Sequence, residues 1–263
     1  MYRKKKGTAL ITGASSGIGL ELAKVFAREG YDLALVARRR PKLEEVKKEL
    51  ERDHDIQVWP LKFDLSMMGA ANELSRELDQ DSIVVDILVN NAGFGSYGRF
   101  QEQDELTQLQ MLRLNIESLT QLTRLLLPKM VERGSGRVMN VASTGAFVPC
   151  PYMAVYCATK AYVLSLSEAL GEELKGTGVT VTALCPGGTS TEFFQRAGNL
   201  NSRITKNMME ADKVAELGYL ALMKGKPVAV TGIKNWLAIQ APRLFPRKLV
   251  AAFVKRLQET PRK

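Results

Sequence analysis

Short apolar runs alternate along this chain with longer stretches in which apolar residues recur at helical spacing. The runs at 8–12, 32–37, 57–63, 86–90, 137–142, 180–185 and 228–230 read as buried strands. The stretches at 17–29, 41–53, 66–80, 104–133, 152–175 and 211–223 read as amphipathic helices. Pro41 suits a first helical turn and Gly30 a helix stop. Strict alternation of strand and helix predicts an α/β fold around a parallel sheet. Residues 187–210 are polar and irregular, with Phe193, Phe194, Met208 and Met209 spaced along them. A connection of that length is expected to be a functional lid or a disordered segment. No repeat, low-complexity tract or linker divides the chain. It is therefore read as one domain over 1–263, with a lid at about 187–211 and a C-terminal extension at about 231–263.

Composition sharpens this picture in two places. The 263 residues are 45% hydrophobic and 25% charged, ordinary for a globular protein. No apolar run reaches the ~18 residues needed to span a bilayer. The basic cluster Arg3–Lys6 is not followed by an apolar stretch, so no secretory signal is read there. Cys150, Cys157 and Cys185 form neither an even framework nor a metal-ligand spacing, and His54 is the one histidine. No metal site is expected, a histidine-dependent hydrolase is excluded, and a reduced cytoplasmic location fits. Cys157 is read as packing; Cys150, between Pro149 and Pro151, is placed where it could approach a substrate. The second feature is charge. Residues 224–263 hold ten Lys/Arg and one acid, Glu259, and so carry the whole +9 excess; positions 1–223 are neutral, with 27 of each sign.

The candidate chemistry centres on Tyr156 and Lys160. Four residues apart on a helix, they share a face, with Ser143 thirteen positions upstream. A cation beside a phenol favours the phenolate and is expected to lower its pKa. Such a tyrosine could give or take a proton while a serine hydroxyl steadies the oxygen concerned, which suits carbonyl–alcohol interconversion. Tyr2 and Lys6 have the same spacing in a basic tail, so the pair is diagnostic only in context.

That context begins at the first predicted strand. It runs into Thr12-Gly13-Ala14-Ser15-Ser16-Gly17-Ile18-Gly19, and a helix follows at once. Glycines there permit a tight turn, and the helix N-terminus offers N–H groups to a pyrophosphate. The second strand ends in Arg38-Arg39-Arg40, with no acid between Leu33 and Leu43. An acid near this point would hold a ribose 2′-hydroxyl, whereas arginine accommodates a 2′-phosphate. NADP is therefore expected, with Arg38 the leading contact and Ser15 a helper.

Together these motifs resemble the short-chain dehydrogenase/reductase family, in its branch of about 250 residues. The resemblance covers residues 8–191: TGASSGIG at 12–19, Asn90-Asn91-Ala92-Gly93, Asn115, Ser143 with Tyr156-x3-Lys160, and Pro186-Gly187, in family order. It implies a doubly wound, Rossmann-like sheet of seven parallel strands in the order 3-2-1-4-5-6-7, with helices on both faces. It implies Ser143, Tyr156, Lys160 and Asn115 as catalytic residues, Asn115 holding a water that links Lys160 to solvent or else marking a helix kink. Cofactor contacts are implied at Gly13, Ser15, Ser16, Gly17, Ile18 and Gly19, and at Asp64 toward adenine, where Asp64 could also cap a helix. They are implied further at Asn91, Ala92 and Gly93 along the adenosine ribose, at Tyr156 and Lys160, and at Pro186, Gly187, Thr189 and Thr191 beside the nicotinamide. Gly188 departs from the family in replacing a commonly bulkier residue. A homodimer or homotetramer is implied as well.

The expected reaction is hydride transfer between NADP(H) and a carbonyl or secondary alcohol. Phe94, Phe147, Val148, Phe193, Phe194, Met208 and Met209 fall in loops that should rim the substrate end. They point to an apolar ketone or 3-oxoacyl substrate, or else form a lid packed on itself. The alternative of another class is a non-catalytic NADP-binding sensor or membrane-surface scaffold, against which the intact catalytic set argues. In the basic C-terminal segment Leu249, Phe253 and Leu257 recur every four residues. The segment could pack on the pocket or a second subunit, lie on an anionic membrane, or attract an acidic acyl carrier. No motif supports nucleic acid.

Overall fold

The computed structural model describes residues 6–199 and 208–259. Seven strands form one parallel sheet: β1 (Thr8–Thr12), β2 (Asp32–Ala37), β3 (Val58–Lys62), β4 (Val85–Asn90), β5 (Gly136–Val141), β6 (Val179–Cys185) and β9 (Val228–Val230). Their order is β3-β2-β1-β4-β5-β6-β9, the one implied by the resemblance. Side chains alternate across a strand, and here both sides are buried. Ala9, Ile11, Leu33, Leu35 and Val89 face α1 (Gly17–Arg28), α2 (Arg40–Asp53) and α8 (Ala211–Met223). Leu10, Ala34, Val36, Leu88 and Val138 face α3 (Ala70–Gln80) and α5 (Leu119–Glu132). At about 1.5–3 kcal/mol for each fully buried large aliphatic side chain, these two layers hold the sheet between helices. Pro60, which donates no ladder bond, lies on the edge strand β3.

Strand order reverses between β1 and β4, and a crevice opens there beyond the strands' carboxyl ends. Three predicted helices change on the way to it. The stretch 66–80 begins its helix only at Ala70, because Gly69 has φ +80° and Asp64 instead closes a turn onto Ser66. The stretch 152–175 folds as α6 (Ala154–Glu173); Tyr152 at φ +68° lies in the left-handed region and cannot extend the helix. The stretch 104–133 is helical throughout but not uniform. It comprises α4 (Glu105–Leu112), a π-helical turn at Arg113–Ser118, and α5.

The segment beyond β6 is more ordered than the polar pattern suggests. It holds a two-stranded sheet of β7 (Thr189–Ser190) and β8 (Met209–Glu210), and between them α7 (Phe193–Ala197). The remainder of the expected lid, 200–207, lies outside the described residues. After β9 come α9 (Ile233–Gln240), a 3₁₀ turn at Ala241–Leu244, and α10 (Arg247–Gln258). The α10 helix buries Val250 and Gln258, whereas two members of the predicted stripe, Leu249 and Phe253, are exposed.

Candidate active site

One cavity of about 940 Å³ runs from the glycine turn, past the end of β5, to α9 and α10. Its two halves are made differently.

At the first half, β1 turns sharply into α1. Gly13 has φ +69°, and a Cβ on it would stand 2.8 Å from the Asn91 side-chain amide. A Cβ on Gly19 would overlap both that amide and the Gly13 carbonyl. The turn can close only because these positions lack side chains. Asn91 fixes it from β4, donating to the Thr12 carbonyl at 2.8 Å and the Gly13 carbonyl at 3.3 Å. The backbone N–H groups of Asn91 and Ala92 donate to Thr12 Oγ1. Alternation sends neighbouring Asn90 to the opposite side. There it donates to Thr123 and Asn140, and Asn140 donates to Ser167, a buried polar chain tying β4 and β5 to α5 and α6. Ser16, the N-cap of α1, makes no side-chain bond to the first turn, so those N–H groups are left for an anion.

Arg38 lines the cavity and approaches Asp64 at 3.7 Å. Arg39 reaches further into the turn, donating to Ser15 Oγ at 3.2 Å and Ser16 Oγ at 3.1 Å, with Glu192 at 3.7 Å. Sequence reasoning singled out Arg38 and missed Arg39. The signal was the unbroken run of three arginines, which cannot reveal which side chain turns inward. Asp64 accepts from the Ser66 N–H and hydroxyl, and these bonds together with Arg38 outweigh partial burial and keep its carboxyl below the ordinary range. The residues fit a dinucleotide: glycines where any Cβ would collide, uncapped helix amides, and two guanidinium groups at the end of β2.

The second half contains the candidate acid–base residues. Ser143, at the end of β5, accepts from the Gly145 N–H at 3.0 Å and lines the cavity together with Tyr156. Lys160, one helical turn along α6, donates to the Val141 carbonyl at 2.6 Å, its ammonium 5.9 Å from the Tyr156 ring centre. The expected lowering of the Tyr156 pKa is not found; the shift is upward. Burial pushes the phenol up and outweighs the influence of the Ser143 hydroxyl, which favours the phenolate. Part of the Tyr156 surface faces the cavity, but the residue lies deep inside the protein. Burial also pulls Lys160 down to about 8. The π turn places Asn115 beside this pair. Its amide donates to the Phe94 carbonyl and to Thr159 Oγ1, both at 3.0 Å, and its carbonyl accepts from the Phe94 N–H. Asn115 thus sits at a helix distortion and also joins the loop after β4 to α6.

Thr144 N–H donates to the Pro186 carbonyl, drawing the Pro186-Gly187 turn onto the end of β5. Thr189 bonds back to the Gly187 carbonyl, and Thr191 accepts from the Phe193 N–H at the start of α7. Of the site residues expected from the sequence, all except Gly19 and Asn115 line the cavity. Of the seven expected apolar rim residues, Phe94, Val148, Phe193 and Phe194 do so. Phe147 and Met209 pack into core clusters instead, and Met208 is not on the lining. The Phe193 ring covers Tyr156, centres 5.1 Å apart. Much of the remaining lining comes from α9 and α10, including Ile239, Val250 and Val254, so the basic C-terminal segment packs on the pocket, one of the readings left open for it. The Cys150 thiol donates to the Val148 carbonyl at 3.5 Å; burial raises the Cys185 thiol to about 12, and the neighbouring Cys150 together with burial also raises Cys157. Cys157 and Cys185 therefore stay protonated and inert as nucleophiles.

A doubly wound parallel sheet, a glycine turn at its switch point and a Ser–Tyr–Lys cluster facing the same cavity define a dinucleotide-dependent oxidoreductase. The sequence profile of short chain dehydrogenases matches residues 7–201, and the chain belongs to that family. A short chain dehydrogenase of Pseudocercospora fijiensis is 35% identical over 205 residues, 77% of this chain and 66% of that protein. A very-long-chain 3-oxoacyl-CoA reductase of Danio rerio is 30% identical over 253 residues, 94% of this chain and 78% of that protein. The match with the first of these thus spans slightly less than two thirds of its length. Among solved structures, a short-chain dehydrogenase from Sphingobium yanoikuyae in complex with NADPH aligns with a TM-score of 0.81 at 32% identity, covering 98% of this chain and all of that one. Among the described residues, no helix is long and apolar enough to cross a membrane.

Proposed function

We propose that this chain is an NADP(H)-dependent reductase of apolar ketones or 3-oxoacyl-type substrates, working as a single Rossmann-like domain in the cytoplasm as a homodimer or homotetramer. The observation that carries this reading is the convergence of Ser143, Tyr156 and Lys160 on the wall of one cavity whose other end has the glycine turn. Gly13, Ser15, Ser16, Gly17, Ile18 and Gly19 would hold the pyrophosphate end of the dinucleotide. Arg38 and Arg39 would hold its 2′-phosphate, and Asp64, Asn91, Ala92 and Gly93 its adenosine. Lys160, Pro186, Gly187, Thr189 and Thr191 would hold the nicotinamide end. When bound, the nicotinamide supplies or accepts the hydride. Ser143 holds the substrate oxygen, and Tyr156 delivers its proton to that oxygen as charge develops there. The raised Tyr156 pKa suits this direction, since an alkoxide is a far stronger base than a phenolate. Oxidation would require the phenolate and is expected to accelerate as pH rises. The NADPH-bound relative and the very-long-chain reductase support the cofactor and the apolar substrate.

The basic C-terminal segment, on this reading, brings the enzyme to an acyl carrier or a lipid surface. The decisive experiment is NADPH oxidation over a panel of aldehydes, ketones, 3-oxoacyl thioesters and steroids, with the wild type and Tyr156→Phe. The substitution is expected to retain NADPH binding and lose turnover by on the order of 10²–10⁴-fold. Near-normal turnover would refute the role of Tyr156, and preference for small polar ketones would refute the apolar substrate.

A further inference from the structure

The helices α9 and α10 and the turn between them present an unusual surface. Ile233, Trp236 and Leu237 lie on one face of α9, at positions i, i+3 and i+4. All are exposed, as are Leu244, Phe245, Leu249 and Phe253; Leu244 keeps 84% of its surface and Ile233 76%. Single exposed apolar residues are commonplace, but seven within twenty-one positions form a patch, and such patches mark contacts. Lys234, Arg243, Arg247, Lys248, Lys255 and Arg256 are exposed among them. No acid occurs from Lys234 to Gln258. Phe245, Leu249 and Phe253 also line the cavity, so the patch is continuous with its wall.

Charge selects what covers this patch. Two copies meeting across a twofold axis would oppose the same surface to itself, cation against cation. An acidic carrier would satisfy the cations but leave Ile233, Leu237 and Leu244 in water. An anionic bilayer accommodates both sets. Lysine and arginine engage headgroups at about 1 kcal/mol each, tryptophan settles at the interface, and aliphatic side chains enter the acyl boundary. We infer that the α9–α10 surface docks on an anionic lipid membrane, with this wall of the cavity at the acyl boundary. Docking stands on the surface alone. Its consequence, that an apolar substrate passes from the bilayer to Tyr156 without crossing water, rests on the reductase reading above.

The test uses the full chain without cofactor. It compares vesicles of phosphatidylcholine alone with vesicles containing about one third phosphatidylglycerol. Binding to the anionic vesicles is expected to be at least ~10-fold stronger, and to fall when salt is raised from about 0.1 M to 1 M. Trp236 fluorescence should shift to the blue on binding, and should not in Trp236→Phe. Ile233→Asp/Leu237→Asp/Leu244→Asp and, separately, Lys234→Glu/Arg243→Glu/Lys248→Glu should each lose ~10-fold or more of the binding while retaining turnover of a water-soluble ketone. The salt series on the wild type tests the idea even if a variant misfolds. Equal binding to both vesicles, or none, overturns it. So does a change of oligomer size in the aspartate variant without vesicle binding by the wild type, which would assign the surface to a second copy. Capture of an acidic acyl carrier with no vesicle binding would likewise overturn it. Turnover measured without lipid fails or succeeds separately, so loss of the reductase reading would not be mistaken for loss of the docking surface.

Discussion

The two ends of the cavity solve different physical problems. At the glycine turn, backbone must approach a charged ligand closely, and nearly every polar group has a fixed partner. Thr12 accepts from two backbone N–H groups, Asn91 donates to two carbonyls, and Arg39 spans two serine hydroxyls. At the α7, α9 and α10 end, the wall is built of side chains such as Phe193, Ile239 and Phe253, whose contribution is bulk. Bulk is interchangeable and a 2.8 Å hydrogen bond is not. The first end should therefore tolerate little substitution, and the second should trade one substrate for another.

The sharpest way to break this contrast is Gly19→Ala. Its methyl group would collide with Asn91 and the Gly13 carbonyl, so a loss of about 3 kcal/mol in stability is expected, along with NADPH binding. Thermal unfolding and a binding titration measure both, and an unchanged protein would refute the turn's tight closure. Lys160→Met should have an effect of similar size but opposite sign. Lys160 has a folded pKa of about 8 against an ordinary 10.5, so the unfolded chain binds more protons between these values. The buried ammonium therefore costs up to roughly 3 kcal/mol at pH 7. That penalty shrinks as pH rises from 8 and is gone above 10.5. The variant should be inactive yet more stable than the wild type at pH 7, with the difference fading by pH 10.5. Denaturation of the cofactor-free proteins across that range checks it, and a pH-independent difference would be the contrary result.

A smaller change is expected from Arg39→Ala. It should weaken NADPH by ~10–100-fold, in keeping with about 1.5–3 kcal/mol for a charged hydrogen bond, and leave NADH nearly unaffected. Parallel titrations decide whether Arg39, Arg38 or both read the 2′-phosphate. Phe253→Ala should change stability by no more than about 0.5 kcal/mol, because the ring is 63% exposed. Its effect should appear as a raised KM for long-chain substrates alone. A large loss of stability there would mean that the two ends are less different than proposed.

This contrast also explains what could be read before the structure. Gly13, Asn91, Ser143, Tyr156 and Lys160 were legible because each meets a geometric or chemical demand that few residues satisfy. The parallel sheet was legible because strands buried on both faces leave continuous apolar runs. Arg39 was missed because neighbouring arginines differ only in where their side chains turn. The late start of α3 was missed because Asp64 and Ser66 serve a turn as well as they would serve a helix cap. The packing of α9 and α10 on the pocket was one of several readings their pattern allowed; apolar residues there alternate with cations, and one helix can turn either set toward a cavity. The lining by Phe94 and Phe193 was read correctly. Phe147 was not, since a phenylalanine in a loop packs equally well into the core beneath it.

The π turn at Arg113–Ser118 gives the helix an odd count. It brings Asn115 to Phe94 and Thr159 while α4 and α5 continue on either side. Each residue of an α-helix advances by roughly 100°. The wider turn takes up one extra residue, so deleting a single residue from it would let regular winding resume while α4 and α5 kept nearly their present faces. Most of the helix would survive, but the amide now joining the loop after β4 to α6 would point elsewhere. The alignment of the catalytic centre is thus stored partly as a number of residues, and a frame-preserving loss of one codon could silence the enzyme while changing none of its signature side chains.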